Sequence, residues 1–179
     1  MTTEIEEPPV SEAKAEQPMP EMPVPAKEHA WLERFVGEWE TSAEICCNPA
    51  EPPMLCAGTE TAAMLGGFWL VARGSSEMGK MPFESVLTLG YDPKRGKYVG
   101  TWIDSMTSHL WQYEGTVNAA GNILTLDTEA EFPGAPGKLS RFKEVTEFKS
   151  DDHRIFTSSI EGENGEWRTT VTVNYRRKK

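Results

Sequence analysis

The sequence contains no run of roughly 18 apolar residues, so no helix long enough to cross a membrane is expected. Basic residues are also scarce. Lys and Arg number 18 against 28 Asp and Glu, a formal charge of -10 that argues against nucleic acid, whose phosphates need clustered cations. Three cysteines, Cys46, Cys47 and Cys56, are too few for a disulfide framework and read as free thiols of a cytoplasmic protein. As neighbours on a strand, Cys46 and Cys47 should face opposite ways, with Cys47 opposite Cys56 across a Pro-rich loop. The three histidines, His29, His109 and His153, lie far apart with no His-x-His or Glu-x-x-His spacing, so no metal and no cofactor is expected. A Gly-rich phosphate loop, a Gly-x-Ser-x-Gly nucleophile elbow and a dinucleotide fingerprint are missing too. An enzyme built from this chain would have to rely on an acid–base pair in a cavity.

What is present falls into two parts. Residues 1–26 are rich in Pro and Glu, and residues 1–28 hold seven Glu against two Lys. Such a segment buries too little apolar surface to offset its ordering entropy and is expected to be a disordered acidic tail. It has neither the basic start nor the apolar stretch of a secretory signal. Residues 27–179 form the expected domain. "KEHAWLERFV" spaces Ala30, Trp31, Arg34 and Phe35 as one face of a short amphipathic helix, which Gly37 ends. After it come only short runs rich in Val, Ile, Thr and aromatics, separated by turn chemistry such as "DPKRG", where Pro93 presets the turn and Gly96 supplies a positive φ.

The runs lie near 38–47, 57–64, 68–76, 83–91, 97–105, 108–117, 122–131, 140–149, 153–161 and 166–176. About ten antiparallel strands joined by short turns must close on themselves or stack as a sandwich, and closure removes exposed edges. The fold expected is an all-β, antiparallel up-and-down barrel with a short N-terminal helix.

"FVGEWET" sharpens that expectation. A helical turn, Gly37, one residue and then Trp39 resembles the Gly-x-Trp opening of the lipocalin and fatty-acid-binding (calycin) barrels. The resemblance implies that Trp39 plugs the closed end and that an Arg of the last strand crosses its ring. In "NYRRKK" neighbouring strand residues face opposite ways, so one of Arg176 and Arg177 reaches Trp39 and the other is solvated. The blocks "HAWLERFVGEWET", "LGGFWL", "PFESVLTLGYDPKRGKYVGTWIDSM" and "YRRKK" further resemble the bacterial family of unknown function DUF1579, thought to be lipocalin-like. That resemblance implies a fold and no established activity.

The stretch "YVGTWIDSMTSHLWQYEG" carries the candidate site. Paired symmetrically about "SMTS", Asp104 should meet His109, Trp102 meet Trp111 and Gly100 meet Tyr113. Alternation then places Tyr98, Trp102, Asp104, His109, Trp111 and Tyr113 on one face, inward, since Lys97 and Glu114 on the other face want water. Arg73, grouped by alternation with Trp69 and Val71, is a further candidate, either as a pocket residue or as an outer charge that pairs with Glu84. An aromatic wall ending in an acid and a histidine suits a small, hydrophobic or aromatic ligand near a barrel mouth. The alternatives are an enzyme using Asp104 and His109 as acid and base, a haem-binding barrel of the nitrobindin type, and a structural module with a filled core. The nitrobindin opening resembles Gly-x-Trp-x-Gly-x-Gly, and Glu40-Thr41-Ser42 here lacks the later glycines. Outward Val99, Ile103 and Leu110 suit a homodimer contact by sheet packing.

Overall fold

A computed structural model describes residues 22–46, 48, 50–131 and 137–179. Ten antiparallel strands form one closed barrel in which each strand pairs with its sequence neighbours and the first pairs with the last. In chain order they are β1 (Gly37–Ile45), β2 (Met54–Leu65), β3 (Trp69–Met78), β4 (Met81–Asp92) and β5 (Lys97–Asp104). β6 (Trp111–Val117), β7 (Ile123–Glu131), β8 (Leu139–Ser150), β9 (His153–Glu161) and β10 (Trp167–Arg177) complete it. The up-and-down, lipocalin-like barrel inferred from the sequence is therefore the observed fold. The tail expectation for residues 1–21 falls outside the described residues, as does Cys47.

The helix is shorter than its apolar spacing suggests. An α-helical turn, α1 (Lys27–Trp31), tightens at once into a 3-10 turn over Leu32–Phe35. His29 caps the start of this segment and ties it to the barrel. Its Nδ1 accepts the Ala26 N–H at 2.9 Å, and its buried ring meets the edges of Phe68 and Tyr91. Trp31 Nε1 and Arg34 Nη1 both donate to the Gly121 carbonyl, at 2.8 and 2.5 Å, and so pin the plug to the β6–β7 turn. Leu32 and Phe35 of this segment pack with Leu70, Leu89, Leu124 and Phe148 of the barrel as the main core.

Trp39 is fully buried, and its Nε1 donates to the Phe35 carbonyl at 2.8 Å. Its register partner on β10 is Arg177, whose guanidinium carbon lies 4.2 Å from the indole centroid. Arg177 also donates to the Val36 carbonyl and, at 3.1 Å, to the Arg34 carbonyl, while Arg176 is exposed. Gly37 makes this latch possible twice over. Its φ of 129° suits only glycine, and a Cβ there would occupy the space taken by the Arg177 guanidinium.

Candidate functional site

The plug fills one end of the barrel, with the β2–β3, β4–β5, β6–β7 and β8–β9 turns around it. Toward the opposite end the interior opens into a cavity of about 330 Å³. Its wall is mainly apolar: Ile45, Met78, Phe83, Leu87, Trp102, Trp111, Phe156 and Val173 line it, with Phe35 and Leu89 at the floor. Strand alternation explains why. In β4, Phe83, Ser85, Leu87 and Leu89 share the inward parity, and in β10 Val171, Val173 and Tyr175 do.

The β5–β6 register runs Gly100↔Tyr113 and Trp102↔Trp111, as the sequence pattern implies, and the rings of Trp102, Trp111 and Tyr113 face the cavity. The pairing ends there. Asp104 does not meet His109, because residues 105–110 leave the ladder as an exposed loop. Local chemistry drives the departure. Asp104 Oδ1 accepts the N–H groups of Met106 and Thr107 at 2.8 and 3.0 Å, curling the chain, while Ser105 N donates to the Glu84 carbonyl of β4 at 2.9 Å. Asp104 Oδ2 accepts Trp102 Nε1 at 3.3 Å, so the carboxylate braces its own strand. His109 is exposed, edge-on to Trp111 with centroids 5.0 Å apart. The geometry for an Asp104–His109 acid–base couple is thus not formed, and Leu110 belongs to the loop rather than to an outer strand face.

Two further candidates lie away from the cavity. Tyr98 points inward as expected but at the plugged end, where its hydroxyl donates to the Glu28 carbonyl at 3.1 Å and its ring meets Trp31 and Tyr91. Arg73 is exposed on the outer face of β3, between inward Ala72 and Gly74. Gly100 is no spare space either: a Cβ there would run into the Thr88 carbonyl, so the residue marks a close approach of β4 and β5.

Cavity residues that the sequence reading passed over are polar. Glu60 on β2 and Arg154 on β9 form an ion pair, both side chains almost wholly buried. The guanidinium is sandwiched among rings, 3.6 Å from the Tyr175 centroid and 4.8 Å from those of Phe35 and Trp39. Burial pushes the Glu60 carboxyl up from its ordinary range, and the Arg154 charge opposes that. Glu144 on β8 is buried without a cation. Its Oε1 accepts Ser158 Oγ at 2.9 Å, and its Oε2 has no partner. Burial raises its carboxyl to about 7, against a smaller lowering by Ser158. Burial also raises the Tyr113 phenol, helped by the nearby charges of Glu144 and Asp104, so that side chain stays a hydroxyl donor.

Cys56 is buried in the cavity wall as a free thiol, opposite Ala43, and Cys46 lies just past the end of β1 rather than on it. None of the described residues lining the cavity is a histidine, so haem would find no proximal imidazole there. No group of three or more His, Cys, Asp or Glu able to hold a metal occurs among the described residues.

Fold and site together define a closed antiparallel β-barrel with an apolar internal cavity and a plugged base. The chain belongs to the family described as "Protein of unknown function (DUF1579)", whose pattern matches residues 24–177. No curated protein matches the sequence. Among solved structures, the chain is similar to Rv2717c from M. tuberculosis, with a TM-score of 0.61 at 12% identity, covering 87% of this chain and 100% of that one. It is also similar to the S-type phycobiliprotein lyase CPES from Guillardia theta, with a TM-score of 0.51 at 17% identity, covering 85% and 93%. At these identities the likeness concerns the fold.

Proposed function

We propose that this barrel binds a small, largely apolar or aromatic molecule in the cavity above the plug. The observation that supports the reading is the cavity itself. A space of about 330 Å³, walled by aliphatic and aromatic side chains with a few polar groups among them, matches the usual form of a small-molecule site. Filling it would remove apolar surface from water at roughly 25 cal/mol per Å².

Trp102 and Trp111 sit in the cavity wall and serve as built-in reporters. Titration with a library of small aromatic compounds is expected to quench intrinsic tryptophan fluorescence and raise the melting temperature. Trp102→Ala should weaken both responses. If no compound moves either signal, the binding reading is overturned.

A further inference from the structure

We infer that the cavity's ligand carries a hydrogen-bond-donating, preferably cationic, nitrogen on a flat apolar body, and that the Glu144 carboxylate is its anchor. This rests on the binding reading above and adds the ligand's chemistry to it.

The argument begins with an unmatched atom. Glu144 is 6% exposed, shares the inward parity of Phe142 and Thr146, and leaves Oε2 without a donor. A buried carboxylate oxygen without a partner costs about 1–3 kcal/mol or more, so such atoms are rare unless something else completes them. The cavity's own cation does not. Arg154 is committed to Glu60, and that pair sums to zero charge.

Asp104, the remaining acid in the wall, already accepts from Trp102, Met106 and Thr107. Glu144 is therefore the wall carboxylate with a buried oxygen left over, and the cavity lining holds three acids, Glu60, Asp104 and Glu144, against one base, Arg154. A ligand carboxylate beside Glu144 would also meet Asp104, and Arg154, the cation lining the cavity, is already paired with Glu60. Arg168 on β10 shares the inward parity of its partner Ile160 but is not among the lining residues. A ligand ammonium, amidinium or ring N–H supplies the missing donor and offsets the charge, and a charge-assisted bond of this kind is about twice as strong as a neutral one. Tyr113, whose hydroxyl stays protonated, lies on the same wall to accept or donate a second bond.

Three probes with one ring system test this: 1-naphthylmethylamine, 1-naphthylmethanol and 1-naphthylacetate, each titrated calorimetrically into the full chain. At about pH 8 the amine is expected to bind about tenfold more tightly than the alcohol, and the acetate least tightly. At about pH 5.5 protonation of Glu144 should shrink the amine's advantage several-fold.

The ionisable groups that line the cavity with Glu144 are Tyr113 from β6, Asp104 from β5, Glu60 and Cys56 from β2, Arg154 from β9 and Tyr175 from β10. Arg168 of β10 is on the inward parity of its partner Ile160, and exposed His109 is on the β5–β6 loop. His109→Gln, on an exposed loop, should leave the pH effect intact. Glu144→Gln should bind amine and alcohol alike at both pH values. The comparison between pH values uses the unaltered chain and so does not depend on that variant folding.

An amine preference that survives in Glu144→Gln, or an acetate that outcompetes the amine, overturns the anchor while alcohol binding still supports the cavity reading. Silence from all three probes overturns both.

Discussion

Glu144 is a single side chain whose environment makes a claim about the stability of the whole chain. Burial holds its carboxyl near 7, against an ordinary value of 4.5. Between those two values the folded chain keeps a proton that the unfolded chain has released. The unfolded state then binds fewer protons, so stability falls as pH rises through the window and levels off above it. Glu144→Gln removes the ionisation. It is expected to match the parent in urea melts near pH 4.5 and to exceed it near pH 8 by on the order of 2–3 kcal/mol. A variant that tracks its parent at both pH values would mean that the carboxyl is solvated. The parity of this residue is legible in "RFKEVTEFK", where Glu144 alternates with Phe142, Thr146 and Phe148. Glu60 in "GTETA" and Arg154 in "HRIFTSSI" likewise carry charge on an inward parity. An acid or a base on the apolar parity is the signal that these positions matter. What the sequence cannot supply is their partnership. Glu60 and Arg154 are 94 residues apart and meet across β1 and β10, so their contact follows from closure and register, not from local spacing.

Strands and turns are where reading from sequence works best, because both signals are local. Each of the ten expected runs yields a strand, although β6 starts at Trp111 rather than 108 and β1 ends at Ile45 rather than 47. "DPKRG" folds as its chemistry dictates, with Gly96 N donating to the Asp92 carbonyl at 2.8 Å. The β5–β6 connection departs because side-chain-to-backbone bonds at Asp104 compete with the ladder, and symmetric pairing across "SMTS" ignores that competition. At the β1–β10 seam the resemblance to calycin barrels leaves open which arginine reaches Trp39, and register decides it. Arg177 lies over the indole and donates to the carbonyls of the plug, whereas Arg176, paired in register with Glu40, faces out. Arg177→Gln should therefore cost about 2–3 kcal/mol, combining a lost cation–π contact with plug carbonyls left without donors. Arg176→Gln should stay within about 0.5 kcal/mol of the parent, as surface changes do. Equal melting temperatures for the two variants would show that the latch does not hold the seam.

Whether the barrel is hollow is a property of the whole molecule, and composition is silent on it. Six Trp and seven Phe are enough to fill a small barrel. The fold distributes them otherwise. Trp31 and Trp39 belong to the plugged end, Trp69 is 43% exposed, and Trp167 lies outside under the Lys143 ammonium, 4.0 Å from its ring centroid. Trp102 and Trp111 are left to line the cavity. Alternation along a strand tells which way a side chain faces but not its height along the barrel axis, which depends on the stagger accumulated around the closed sheet. This is why Tyr98 and Trp102, two periods of alternation apart on the same face of β5, end up in the core and in the cavity wall. The same reasoning yields a direct test of where the ligand sits. Ala43 on β1 lines the cavity, and Ser42 beside it faces solvent. Ala43→Phe should fill part of the hollow, keep or raise the melting temperature by burying a ring, and abolish ligand-induced quenching. Ser42→Phe places the same ring on the outer surface and should leave binding unchanged. If Ala43→Phe still binds as the parent does, the ligand does not occupy this cavity, and the hollow at the opposite end, where Trp31, Tyr91 and Tyr98 meet the β6–β7 turn, becomes the next place to test.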